Sequence, residues 1–330
     1  MICDLPVRFD TYEGCAHGCE YCFATRKRTD MSIDGRKHES VGTLKRFIQG
    51  ERVKELAWCD WNIPIHWGGM SDPFQPIELE KRYSLDALHL FAETKYPFVV
   101  STKNKMIAEE PYLSLIKECN CVVQFSACCR SYDNFERGAS TFQERLEAAK
   151  KISVYKRVVI RCQPYIPSFF NEVMGSIDAF HDAGVYGCVF EGIKFTKKVK
   201  GTIKLQGDYV YPSDVYKRDF QKFKAKLHAF GMRFYSGENR LRKMGDDLCC
   251  CGVDGLGWKV NTANLNHYLY DRDGFVYSDA SKKDGTAAPF HTISQNPVSR
   301  GISEYSYKTL FEIAARDKNI IRQLVPDGTI

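Results

Sequence analysis

Along residues 1–240, short runs of β-branched and aromatic residues alternate with longer stretches whose apolar positions recur at helical spacing. The strand-like runs are "PVRFDTY" (6–12), "IPIHWGG" (63–69), "PFVVSTK" (97–103), "CVVQFSA" (121–127), "RVVIRCQPYI" (157–166) and "GCVFEGIKF" (187–195). Each is dominated by residues that suit a pleated, half-buried surface. Between them, 78–95, 111–118, 140–155 and 170–184 read as helices, the last ending on Gly184, which suits a helix C-terminus. A helix over 214–230 and a seventh strand, "MRFYSG" (232–237), extend the series. Apolar strands separated by helices predict an α/β fold with a parallel sheet and helices outside. Six such units make a partial (β/α)6 TIM-type barrel, whose chemistry gathers at the C-terminal ends of the strands. Residues 1–240 are therefore read as the barrel. Residues 241–330 lose the alternation and are read as a C-terminal extension with one further helix over 307–325.

Composition adds little until the cysteines. The 330-residue chain is 44% hydrophobic and 27% charged, which is ordinary for a globular protein. Its start, "MICDLPVRFD", lacks the basic and apolar regions of a secretion signal, and no apolar segment reaches membrane-spanning length. A soluble cytoplasmic protein with no membrane partner is the expectation. Fourteen cysteines are many for a reduced compartment, and their placement is uneven. Cys119, Cys121, Cys162 and Cys188 lie in apolar runs and read as small buried hydrophobes. Cys15, Cys19 and Cys22 form one group; Cys249, Cys250 and Cys251 form another. The net charge of +6 is concentrated in "TRKR" (25–28), "GRKH" (35–38) and "KFTKKVKGTIK" (194–204). Each run by itself reads first as solvated surface.

The stretch "GCAHGCEYCF" (14–23) sets three thiols in C-x-x-x-C-x-x-C spacing directly after the first strand. Three thiolates on one tight loop can bind three irons of a 4Fe–4S cluster and leave the fourth iron open. A zinc site that recruits His17, or a redox pair, is left open by the spacing alone.

That spacing, with Tyr21 before the third cysteine on the first loop of a β/α barrel, resembles the radical S-adenosylmethionine (SAM) superfamily. Four further stretches resemble its spore photoproduct lyase-like branch: "GGMSDPFQPIE" (68–78), "STKN" (101–104), "FERGASTFQERL" (135–146) and "PYIPSFFNE" (164–172). They follow the family's order and span residues 6 to about 185. Arg137 and Ser140 or Thr141 stand where the family's third motif has prolines, and Ser168 stands where the fourth has glycine. These departures bear on local loop shape more than on the cofactor site.

The resemblance implies a 4Fe–4S cluster on Cys15, Cys19 and Cys22, with SAM chelated at the open iron. It further implies cleavage of SAM to a 5′-deoxyadenosyl radical, hydrogen abstraction from a substrate, and an electron donor such as a flavodoxin or ferredoxin. Gly68 and Gly69 would let backbone approach the SAM amine. Asp72 would orient a loop or meet the cofactor. Thr102, Lys103 and Ser126 would meet the SAM carboxylate and ribose, Lys103 supplying the positive charge. Ile166 would pack on adenine. Arg161 and Gln163 would point into the barrel, and Glu191 and Lys194 would reach substrate. Cys128, Cys129 and Cys162, near strand ends, are candidate hydrogen-atom donors. Cys249, Cys250 and Cys251 are a candidate auxiliary metal or cluster site, with a buried loop as the alternative. The branch suggests a DNA or nucleotide substrate with a thymine-type base; Trp58, Trp61 and Trp67 are candidates to stack on it, with a place in the core as the more frequent alternative. A peptide or small metabolite and a non-catalytic zinc or iron–sulfur module are the rival readings.

Overall fold

The structure is a computed structural model that describes residues 5, 8–24, 36–37, 39–49, 64–205, 207–258 and 260. The helix expected over 307–325, Trp58, Trp61 and the basic run 25–28 lie outside the described residues, as do Gly35 and His38.

Seven strands form one parallel sheet: β1 (Arg8–Phe9), β2 (Ile65–Trp67), β3 (Phe98–Thr102), β4 (Cys121–Ser126), β5 (Arg157–Tyr165), β6 (Gly187–Gly192) and β10 (Arg233–Ser236). Their order is β1-β2-β3-β4-β5-β6-β10, so each strand neighbours its predecessor across an intervening helix. This is an open β/α barrel with β1 and β10 at its edges. The sheet's strands match the seven apolar runs, because strands covered on both faces must be apolar nearly throughout.

The helices are α1 (Val41–Ile48), α2 (Glu78–Lys81), α3 (Tyr83–Thr94), α4 (Tyr112–Glu118), α5 (Phe142–Ser153), α6 (Phe170–Asp182) and α7 (Ser213–Ala229). Thr141 starts α5 with a capping box to Glu144, as the T-x-x-E spacing requires. Gly184 follows α6 at φ 70°, where a glycine is favoured. The single helix expected over 78–95 is instead two. Arg82 breaks it at φ 54°, and the Glu78 carboxylate turns to accept the Ser84 and Leu85 amides at 2.9 and 2.8 Å. It thereby satisfies amides of the first turn of α3 that lack a helical partner.

The run expected as one strand over 187–195 also divides. β6 stops at Gly192, and β7 (Lys194–Phe195) joins β8 (Ile203–Leu205) and β9 (Asp208–Val210) in a small antiparallel sheet ordered β7-β9-β8. This flap springs from the C-terminal end of β6.

Strand parity divides the side chains into two sets. Phe98, Val100, Val123, Phe125, Val158, Ile160, Cys188 and Phe190 pack with the helices in the main core. Their alternates Val99, Val122, Val159, Val189 and Tyr235 face the other way and are covered by Leu5, Cys249, Cys251 and Val253. The chain after β10 thus plugs the concave side of the barrel. Gln124 donates to the Cys251 carbonyl at 3.0 Å, and Arg157 donates to the carbonyls of Gly252 and Asp254 at 3.0 and 2.6 Å. Among the described residues, no helix is long and apolar enough to cross a membrane.

Candidate cofactor site at the C-terminal ends of the strands

The cysteine loop leaves β1 at the C-terminal edge of the sheet and is held from three sides. Asp10, just past β1, accepts the amides of Met70 and Ser71 at 2.8 and 3.2 Å. Ser71 in turn donates to the Tyr12 carbonyl at 2.6 Å. Gln75 grips the loop at both ends, donating to the Gly14 carbonyl and accepting the Ala16 amide, each at 2.8 Å. From the third side, Glu20 N donates to the Phe135 carbonyl at 3.0 Å and Gly138 N to the His17 carbonyl at 3.1 Å. A side chain at 138 would put its Cβ 2.5 Å from the Ala16 carbonyl oxygen and 2.8 Å from His17 Cα, so only glycine allows this approach.

Within the loop, Gly18 sits at φ 60° and Cys22 N donates to the Cys19 carbonyl at 3.0 Å. Cys15, Cys19 and Cys22 are all partly exposed. Burial pushes the thiol of Cys15 up to about 12 and that of Cys19 up to about 11, so thiolates there call for a positive partner. His17 is not such a partner. It is buried, its Nδ1 lies 2.8 Å from the Gly138 carbonyl, and its Nε2 faces Asp72 Oδ2 at 3.1 Å. The loop therefore offers three soft sulfurs and no nitrogen. That donor set suits an iron–sulfur cluster with one open iron and falls short of a four-ligand zinc site. Among the described residues, no three Cys, His, Asp or Glu side chains already stand in metal-ligating geometry.

Asp72 is the hub behind this loop. Its carboxylate accepts the Lys103 amide at 2.6 Å, the Phe74 amide at 2.9 Å and the Thr102 hydroxyl at 2.8 Å, besides facing His17. Burial alone would raise its pKa, but His17 and these amides outweigh it and hold the carboxyl below its ordinary value. Both oxygens are used, so Asp72 ties β2, β3 and the cysteine loop together. Thr102 is buried on the helix side of β3, and its hydroxyl is shared between Asp72 and the Asn104 amide.

Other predicted residues do converge. Lys103 Nζ lies 5.7 Å from the Tyr21 ring centroid and 3.5 Å from Glu136. Burial lowers the Lys103 pKa, against the upward pull of Cys19 beside it. Glu136 is paired with the buried Arg145, which also donates to the Ser126 carbonyl and meets Asp133 at 3.0 Å. Gly68, at φ 82°, could not carry a Cβ, which would sit 2.5 Å from the Ser101 carbonyl oxygen. Gly69 passes Arg8 so closely that a Cβ would be 2.9 Å from its Cδ. Ile166 directly follows β5 and is partly buried against the main core.

On the concave face, Arg161 Nε donates to Gln163 at 2.7 Å, and Gln163 donates to Glu191 at 3.0 Å. Lys194 completes the row with Glu191 at 3.1 Å. Arg161 Nη1 also reaches Ser101 Oγ at 2.6 Å, Gln124 at 3.3 Å and His66 at 3.4 Å. His66 and Gln124 escape the motif reading, and Ser101, though inside "STKN", is given no role by it. Their signal is parity alone: polar residues at alternate positions of strands that are otherwise apolar.

The candidate donors Cys128, Cys129 and Cys162 are all buried in the helix-side core, with Cys128 beside both Cys129 and Cys162. Cys249 and Cys251 are buried against Val99, Val122, Val159 and Val189, with Cys250 packed beside them.

No family model matches the sequence, and no curated protein matches it. In structure the chain is similar to a mutant of spore photoproduct lyase with bound AdoMet and dinucleoside spore photoproduct. The TM-score is 0.53, with 19% identity over 69% of this chain and 74% of that one. It is also similar to Streptococcus suis SuiB bound to S-adenosylmethionine, with TM-score 0.53 and 9% identity over 92% of this chain and 78% of that one. For SuiB bound to precursor peptide SuiA the values are 0.54 and 10%, over 93% and 64%. With seven parallel strands, external helices and this cysteine loop after β1, the chain has the fold of the radical SAM enzymes, a partial β/α barrel.

Proposed function

We propose that the chain is a radical SAM enzyme acting on a nucleic-acid base, of the thymine-lesion or modified-base kind. The observation that carries the enzyme reading is the three-cysteine loop clasped by Gln75, the His17–Asp72 pair and Gly138 at the C-terminal end of a radical-SAM-type sheet. A cluster and SAM bound there supply a 5′-deoxyadenosyl radical for hydrogen abstraction.

The chain's own residues prepare that chemistry. Cys15, Cys19 and Cys22 ligate the cluster. Gly68 and Gly69 keep backbone within reach of the SAM amine, and Lys103 offers the carboxylate a charge at low solvent exposure. Ser126 and Ile166 complete the ribose and adenine contacts, with Tyr21 lining the loop. Gln163, Glu191 and Lys194 face the substrate from the concave side. The nucleic-acid reading is supported by the flap after β6, whose exposed Lys194, Lys197, Lys198, Lys200 and Lys204 suit a phosphate backbone. A peptide is the second reading, favoured by the SuiB likeness running over 92% of the chain against 69% for spore photoproduct lyase.

Anaerobic reconstitution with iron and sulfide, then SAM and dithionite, tests this. Expected is 5′-deoxyadenosine formation that rises when a thymine-containing oligonucleotide is added. Cleavage indifferent to DNA moves the substrate to peptides. A fully loaded protein that leaves SAM intact, or a colourless one holding stoichiometric zinc, sinks the enzyme reading.

A further inference from the structure

Above the plug, the next inward-facing residues of β3, β4, β5 and β6 are Ser101, Gln124, Arg161 and Glu191, following Val99, Val122, Val159 and Val189. On β1 and β2 the inward residues are Arg8 and His66, which pair in register. Arg161 stands out in this set. It is partly buried, yet among the described residues no carboxylate forms an ion pair with it. Glu191, the nearest acid in the row, is taken by Gln163 and Lys194. Arg161 spends Nε on Gln163 and Nη1 on Ser101, Gln124 and His66, all neutral. Nη2 makes none of these bonds.

Burial, with Arg161 and Arg8 alongside, pushes the His66 imidazole down to about 3, so it is neutral at ordinary pH. Two guanidinium groups thus flank one neutral imidazole. Arg8, His66 and Arg161 each keep partial exposure, so the concave face is open to a solute at this point. Arg161 is half-buried with no carboxylate paired to it among the described residues, which is costly and calls for a counter-charge. The planar fork of an arginine suits the two oxygens of a phosphate or carboxylate.

We propose that Arg161, with Arg8 and His66 beside it, is the receptor for an oxyanion on the substrate, a phosphate or a carboxylate, on the concave face between the plug and the cofactor site. Arg161 binds it through Nη2 while Gln163 and Ser101 hold the guanidinium in plane. The site is separate from Lys103, which serves the SAM carboxylate. The inference rests on the proposed function only for the statement that the anion belongs to a substrate.

The test is calorimetric titration of the full chain with inorganic phosphate and, separately, acetate. It is run as purified and again after anaerobic reconstitution with SAM. Expected is saturable binding of one anion that Arg161→Gln weakens about tenfold or more, and Arg8→Gln weakens too. Lys150→Gln, on the exposed face of α5, leaves it unchanged. Preference for phosphate assigns a phosphorylated substrate, and preference for acetate a carboxylated one. Arg161→Lys keeps the charge and loses the fork, so an intermediate loss is expected, with circular dichroism confirming the fold. No saturable binding, or binding indifferent to Arg161→Gln and Arg8→Gln, overturns the proposal. Displacement of the anion by SAM also overturns it, because Arg161 would then hold the cofactor's own carboxylate. Calorimetry needs no turnover, so failure of 5′-deoxyadenosine formation sinks the enzyme reading without touching this one.

Discussion

The chain carries two cysteine triplets at opposite ends of the same concave face, and they differ in everything except the element they share. Cys15, Cys19 and Cys22 lie on a turn-bearing loop, partly exposed, with a lysine and a charged hub close by. Cys249 and Cys251 are buried among valines and Tyr235, with Cys250 packed beside them. The first group is poor as a hydrophobic cluster and well supplied with polar supports. The second is the reverse, a plug that seals the barrel. Thiol count therefore says little about chemistry; the neighbours decide.

The largest expected effect sharpens that contrast. Cys19→Ala should abolish 5′-deoxyadenosine formation and most bound iron while the melting curve stays close to that of the parent. Cys251→Ala should leave iron at about four per chain and instead cost about 1–2 kcal/mol of stability through the small cavity it opens. Iron above four per chain that falls on changing Cys251 would reverse the comparison and make the plug an auxiliary site.

Two glycines break the regions separately. In the upper region, Gly138→Ala drives a Cβ into the backbone at Ala16 and His17. Neither atom can rotate away, so the cysteine loop must shift, and iron retention should fall several-fold with little change in the barrel's melting. In the plug, Gly252 sits at φ 71° and a Cβ would meet Val159 Cγ2 at 2.5 Å. Gly252→Ala should therefore cost about 1–3 kcal/mol, seen in urea unfolding, with iron content unchanged. Equal iron loss in both variants would mean that the plug and the loop fold as one unit.

The strands, the helix over 140–155 and the cysteine loop were legible because each rests on local pattern. The clasp was not. Gln75 reaches Ala16 across 59 positions and Gly138 reaches His17 across 121, and no local period encodes such a contact. Local pattern does not place Cys128, Cys129 and Cys162 either, for a related reason. Proximity to a strand end does not say which face a side chain takes, and here that face is the helix side. The flap was hidden because its strands are two or three residues long and, of their residues, only Val210 is buried, so no separate apolar run marks them. The break at Arg82 follows from Glu78, whose buried carboxylate, served by Ser84, Leu85, Tyr12 and Tyr112, prefers that cluster to a continuous helix.

The smallest effect concerns the layer between the two regions. His66 is held down to about 3, first by burial and then by Arg161 and Arg8, whereas an unfolded histidine titrates near 6.5. Above the unfolded value both states are neutral and the group has no effect on the pH slope. As pH falls from about 6.5 toward 3, the unfolded chain takes up a proton that the folded one refuses, so stability is lost through this window. At pH 5 the loss from this one group is about 2 kcal/mol. His66→Gln keeps a neutral polar head beside Ser101 without the titration, so its urea midpoint should fall less between pH 7 and pH 5 than the parent's. Asp72, also lowered, loses its contribution only below an unfolded value near 4, so a comparison between pH 7 and pH 5 reads His66 without it. Arg161→Gln should raise the His66 pKa and shorten the window from below. Unchanged steepness in both variants would mean that the imidazole protonates freely in the folded chain, and that this layer is as wet as the loop above it and unlike the dry plug beneath.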